Sequence, residues 1–337
     1  MNQAQRKARL GSRTRTLLKT GVTLALCALI VWKGDWRTIW QTLRQANPWM
    51  LCAVFTGMLL GVSISTFKWR LILSVHGLHF GFNRLQAYYF TSVFFNNFLP
   101  SNIGGDVYRI YQTARGQNSR APAVVAVLTE RLTGIWALVA LAAVGGVVIR
   151  VQGNFQPPWL LPCILVFSAI ALAPVLLLAV SERAASWLMA AGWFPVKLKK
   201  VLALSEDYRR QPGKTLQIIA ISFGFHLFTL SWMLLLSYAA GDPSDLTRLV
   251  LGAAISNLAA LIPVSLNGIG LFDGSFIYVM GDLGMSFDAA LMMMLVIRAL
   301  LIPLSLIGGA FYLKDKKSVD MQKLRSGAEE ARETTCI

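Results

Sequence analysis

Apolar runs of membrane-spanning length alternate with short polar stretches along most of the chain. A helix crosses a hydrocarbon layer with about 20 predominantly apolar residues, and the pattern predicts six such spans, over 17–32, 48–68, 121–149, 159–180, 215–240 and 289–313. Two further runs fall short: 85–99 has 15 residues and 249–262 has 14. Each runs into residues that resist a continuous helix. After the first come Asn96, Asn97, Pro100, Asn102, Gly104, Gly105 and Asp106; after the second come Pro263, Asn267, Gly268, Gly270 and Asp273. Proline removes a backbone donor and disfavours helix in the residue before it, while glycine permits backbone angles and close approaches that other residues resist. Hydrocarbon tolerates such non-helical backbone only where protein buries it or where it lines a watery cavity. The pattern therefore predicts two re-entrant, broken-helix hairpins that enter the membrane and return to the side they came from.

The polar stretches set the orientation. Residues 1–16 are basic with no acid, and Lys or Arg also follow the second span, flank the first hairpin and fill 181–214, whereas the loops at 241–245 and 281–288 hold acids and no Lys or Arg. Basic loops stay on the cytoplasmic side. This predicts a cytoplasmic N-terminus, one membrane domain over 17–317 with a cytoplasmic amphipathic segment at 181–214, and a disordered cytoplasmic tail at 318–337. The order span, broken hairpin, span with an embedded arginine occurs over 48–149 and again over 215–313. Arg131 follows Pro100 by 31 residues and Arg298 follows Pro263 by 35. The first unit starts outside and the second inside, which makes the halves an inverted repeat, a plan in which the substrate site lies where the broken elements meet.

Composition agrees with an all-α polytopic membrane protein: 55% of the 337 residues are hydrophobic, 14% are charged and the mean hydropathy is +0.55. The net charge of +16 does not indicate nucleic acid, because the basic residues sit in blocks between apolar segments rather than on an aromatic-interleaved soluble module. Four scattered cysteines outline neither a disulfide framework nor a metal cluster. No cofactor fingerprint, nucleophile elbow or H-E-x-x-H pattern occurs, so no enzyme chemistry is expected.

An arginine at the bilayer centre costs about 2.5–3.5 kcal/mol, so it faces the protein interior and takes a partner. Two readings fit Arg131 and Arg298. Either they are structural ion pairs, with Glu130 or Asp106 for one and Asp273 for the other, or they converge and grip an anionic phosphate through their planar forks. Asp106 reads as a helix cap or as a releasable counter-charge. Asn96, Asn97, Asn257 and Asn267 satisfy unwound backbone or contact substrate. His226, near the middle of its span, reads as a packing histidine or a proton relay.

The stretch NNFLPSNIGGDVYRIY (96–111) carries P-x-x-x-G-G-D-x-x-R on Pro100, Gly104, Gly105, Asp106 and Arg109, and LIPVSLNGIGLFDGSF (261–276) follows it. Together these resemble the flippase-like membrane family whose best-known member is the membrane part of bacterial lysylphosphatidylglycerol synthase. Where the family pattern has an Arg-Glu pair after the second glycine-rich turn, this chain has Phe272 and Asp273. The resemblance implies a multi-pass protein of the bacterial inner membrane that moves a lipid with an anionic or glycosylated head group between leaflets in envelope biogenesis. It leaves open a non-catalytic membrane partner of an envelope glycosyltransferase or synthase, and an intramembrane phospholipid-modifying enzyme. Only the polar stretch 318–337 follows the last span, so an aminoacyl-transfer domain, and with it lysyl transfer, is not expected.

Overall fold

The computed structural model describes residues 37, 44, 47–98, 104–153, 157–179, 207–262 and 268–335. The expected first span at 17–32, most of the amphipathic segment at 181–214, and Pro100, Asn102, Pro263 and Asn267 lie outside the described residues. Among the described residues the elements are α1 (Pro48–Val75), α2 (Phe82–Phe98), α3 (Gly104–Ala114), α4 (Ala121–Gln152), α5 (Leu160–Ala179), α6 (Pro212–Ala239), α7 (Leu246–Ala260), α8 (Leu271–Asp282) and α9 (Phe287–Thr335).

The helix boundaries follow from local chemistry. Asn47 caps α1 by accepting from the Trp49 amide at 2.9 Å, and Pro48 occupies the first turn, where its missing N–H is not needed. α4 stops at Gly153, whose φ of 74° is the left-handed cap that glycine reaches without strain. Asp245 caps α7 through the Arg248 amide at 2.9 Å. Two expected ends shift. α1 continues to Val75 rather than ending near Lys68, so Lys68 is an interior residue, buried against α4 and α6, instead of an interfacial one. α9 runs to Thr335 in place of a disordered tail; residues 318–335 are rich in Lys, Arg, Glu, Gln and Ala, which lose little side-chain freedom in a helix, and hold no proline.

α1, α4, α6 and the Phe287–Lys314 part of α9 are long and apolar enough to cross a membrane, and α5 adds a helix of 20 residues. α2 and α3 have 17 and 11 residues, and α7 and α8 have 15 and 12, short of the roughly 20 needed to cross. These are the two broken hairpins.

The packing treats the halves alike. α1 packs on α6; α2 packs on α3 and α9, as α7 packs on α8 and α4; α3 packs on α4, as α8 packs on α9. Exchanging α1–α4 with α6–α9 turns each of these contacts into another of the same set, as a two-fold relation requires. The hairpin helices approach their outer partners at glycine: a Cβ on Gly308 of α9 would lie 2.0 Å from the Phe90 carbonyl oxygen of α2, and one on Gly145 of α4 would lie 2.7 Å from Val250 of α7. α1 likewise approaches α6 at a glycine, since a Cβ on Gly57 would meet Trp232 of α6 at 2.9 Å. At one end of the bundle the segment before α6 is fastened to the end of α1: His76 bonds the Asp207 carboxylate through Nδ1 and the Tyr208 hydroxyl through Nε2, both at 2.9 Å. Burial pushes the Tyr208 phenol up to about 12, so it stays a neutral hydrogen-bonding group at physiological pH.

Candidate functional site

At the first break, α2 hands its last turn to α3 through Asn96, whose side-chain oxygen accepts the Gly105 amide at 2.9 Å. This is the backbone-satisfying role expected of the asparagines. A Cβ on Gly105 would lie 2.3 Å from the Ser92 carbonyl oxygen. The glycine is therefore needed for space, and its φ is not in the positive region that motivated half of the sequence argument. At the second break that argument holds, because Gly268 and Gly270 have φ of 69° and 80°.

Asp106, in the first turn of α3, accepts from two arginines, Arg109 Nη2 at 2.8 Å on Oδ1 and Arg131 Nε at 2.5 Å on Oδ2. Arg109 spans to Glu130 on α4 at 2.5 Å, and its guanidinium lies 4.5 Å from the centre of the Tyr89 ring and 4.9 Å from that of Trp69. Tyr89 donates its hydroxyl to the other Glu130 oxygen at 2.8 Å, and Lys68 donates to the Glu130 backbone carbonyl at 3.0 Å and to Ser222 on α6 at 3.3 Å. Burying charges is affordable only when they are paired and hydrogen-bonded, and here both acid side chains are paired on each oxygen. Of the two acids considered for Arg131, Asp106 is its partner; Glu130 belongs to Arg109.

The second hairpin repeats a simpler version. Asp273 accepts from the Gly270 amide at 2.9 Å, closing the turn that opens α8, and from Arg298 on α9 through Nε and Nη2, both at 3.0 Å. The capping role proposed for Asp106 is thus seen at Asp273, together with a bidentate arginine pair.

The two sites meet at a cavity of about 360 Å³ between the hairpins. Asn96 and Asn97 line it from α2, Arg131 from α4, Asn257 from α7, Phe272 and Asp273 from α8, and Arg298 from α9. Asn97 is held by its bond to Ser305 of α9 at 3.0 Å. The Arg131 and Arg298 side chains are 40% and 27% exposed, against 4% for Arg109. Asp106, Arg109 and Glu130 form the buried layer behind Arg131, while Gly104 opens α3. His226 bonds the Gly134 carbonyl of α4 at 2.8 Å, a helix-to-helix contact in keeping with a packing role. Met292, Met293 and Met294 are buried packing residues.

Sequence reasoning missed Lys68 and Tyr89 as members of this network. Lys68 was legible only as a base near the end of an apolar run, and Tyr89 as one more apolar residue of α2; nothing in the sequence ties either to Arg109, and the Trp69 and Tyr89 rings come beside its guanidinium only in the fold.

With this geometry in view, the comparisons with known proteins are decisive on kinship. The model of the lysylphosphatidylglycerol synthase transmembrane region matches residues 16–308. The chain belongs to that family. A shorter match links it to a UPF0104 membrane protein of Methanothermobacter thermautotrophicus, 32% identical over 96 residues. That match covers 28% of this chain and 26% of the relative, so the chain matches about a quarter of the relative's length. In this member of the lysylphosphatidylglycerol synthase transmembrane-region family, the matched residues hold both hairpins, both embedded arginines and the cavity between them.

Proposed function

We propose that the chain moves a lipid with an anionic or phosphate-linked glycosylated head group between the two leaflets, as a transporter that makes and breaks no covalent bond. The observation that carries this reading is the single cavity into which both broken hairpins and both embedded arginines, Arg131 and Arg298, converge. Inverted-repeat transporters place their substrate at such a meeting of broken elements. A phosphate there competes with Asp106 and Asp273 for the two guanidiniums, whose planar forks suit a tetrahedral oxyanion. Asp106 can release Arg131 at reduced cost because it keeps Arg109. Rocking of one half against the other would then expose the head group alternately to the two faces, in the cytoplasmic membrane with both termini inside.

The test is reconstitution in sealed vesicles with a fluorescent phosphatidylglycerol whose head-group end is quenched by an impermeant reagent. The expected result is that lipid of the inner leaflet becomes accessible, chemically unaltered, at a rate set by protein content. Vesicles that keep their inner-leaflet lipid protected would reject a transporter, and an altered lipid would favour an enzyme.

A further inference from the structure

A second cavity, of about 330 Å³, lies at the far end of α1 and shares no lining residue with the cavity between the hairpins. Phe67, Arg70, Leu71 and Ser74 line it from α1, and Leu78, His79 and Phe80 line it from the turn that leads to α2. Gly77, at φ 74°, bends the chain back so that Leu78 is buried as the floor. Phe67 is half exposed, and Arg70 and His79 are exposed. At 1.5 Å of rise per residue, the wall from Phe67 to the end of α1 at Val75 is about 12 Å long. It passes from phenyl and leucine surface to Arg70 and then to the imidazole. A third base stands beside it, the Arg84 guanidinium, 5.9 Å from the Phe80 ring centre. No Asp or Glu lines the cavity. Asp207, an acid at this end of α1, is bonded to His76.

Helix ends are where a membrane protein meets the head-group layer, and basic side chains there attract anionic lipid by about 1 kcal/mol each. A free phosphate would use only the bases and would gain nothing from the wall of exposed Phe67 and half-buried Leu71. A zwitterionic lipid would use the wall but lacks the net charge that the acid-free rim favours. We propose that this cavity holds one anionic phospholipid, its phosphate against Arg70 and His79 and an acyl chain along Phe67 and Leu71. The site stands apart from the transport reading, since it uses none of the hairpin residues.

Native mass spectrometry of the detergent-solubilised full chain tests it, with dioleoyl-phosphatidylglycerol and dioleoyl-phosphatidylcholine as probes. Wild type should retain phosphatidylglycerol in preference to phosphatidylcholine, with one bound copy that does not depend on the cavity between the hairpins. Arg70→Gln should raise the apparent Kd for that lipid about five-fold, and adding His79→Gln should raise it further. Both side chains are exposed, so the variants should keep the wild-type elution profile and melting temperature. Arg298→Gln, in the other cavity, should retain the lipid. Equal retention of the two lipids, no retention of either, or indifference to both substitutions would overturn the site. Loss of the same lipid in Arg298→Gln would overturn it too, by assigning that lipid to the cavity between the hairpins.

Discussion

The two hairpins use one backbone device with different electrostatic support. In the first, Asp106 holds two arginines and is backed by Glu130, Tyr89 and Lys68, four of these five charged side chains being nearly inaccessible. In the second, Asp273 holds Arg298 alone among the described residues and also closes its own turn. The difference separates two roles that the sequence left merged. Arg109 with Glu130 is a buried structural pair, whereas Arg131 and Arg298, at matching places in the two halves, are partly exposed to a common cavity. In the transport reading proposed above, substrate contact would fall to Arg131 and Arg298, which share the carboxylates of Asp106 and Asp273, while the buried pairing with Glu130 falls to Arg109.

The largest effect expected concerns orientation. If the halves are inverted, a cysteine replacing Asn118 or Ser119, after the first hairpin, should react with an impermeant thiol reagent only from the cytoplasm. One replacing Ser286, after the second, should react only from outside. All three positions are exposed, and the labelling is read in intact cells against inverted vesicles, with the chain's own cysteines replaced. Reaction of all three from one face would end the inverted arrangement.

Next comes the buried pair. Arg109→Gln strands the Glu130 carboxylate away from water and should cost about 3–5 kcal/mol, seen as a sharp fall in folded protein in the membrane; Glu130→Gln leaves Arg109 its bond to Asp106 and should cost less than that. Asp273→Asn should cost less, because Arg298 is more exposed than Arg109. Equal losses at the two sites would remove the distinction between a structural and a cavity-facing pair.

A smaller contrast lies in the glycines. Gly105→Ala puts a methyl group against the Ser92 backbone oxygen and should cost about 1–3 kcal/mol through crowding. Gly268→Ala is penalised by its φ of 69°, about 1–2 kcal/mol. Thermal unfolding of the purified variants measures both. Asn at these positions separates the causes: it tolerates the left-handed region, so it should partly rescue position 268 and fail at 105.

Much of this is legible in the sequence. Run lengths gave the short elements α2 and α7, since helix length against bilayer thickness is a one-dimensional property, and the proline- and glycine-bearing stretches after them implied the returning pieces α3 and α8. The pairing of Arg131 with Asp106 and of Arg298 with Asp273 was among the options, because embedded charge demands a partner and few acids were within reach. What sequence could not decide was which of Asp106 and Glu130 faces Arg131, a matter of how α3 rotates against α4. Lys68 was misplaced because a base near the end of an apolar run looks the same whether the helix stops there or continues to Val75. Gly105 was identified for a partly wrong reason, as crowding by Ser92 depends on how closely α3 folds back onto α2.

The most direct test is a double-mutant cycle on Arg131 and Arg298, with folded protein level and lipid translocation measured on the same four chains. Removing a hydrogen bond to a charged group costs about 1.5–3 kcal/mol, so Arg131→Gln and Arg298→Gln should each slow translocation about ten-fold or more at near-normal protein level. Lysine should restore only part of it. Because both groups act on one phosphate, the double change should cost less than the two single changes combined. Normal translocation by a well-folded double mutant would contradict the account.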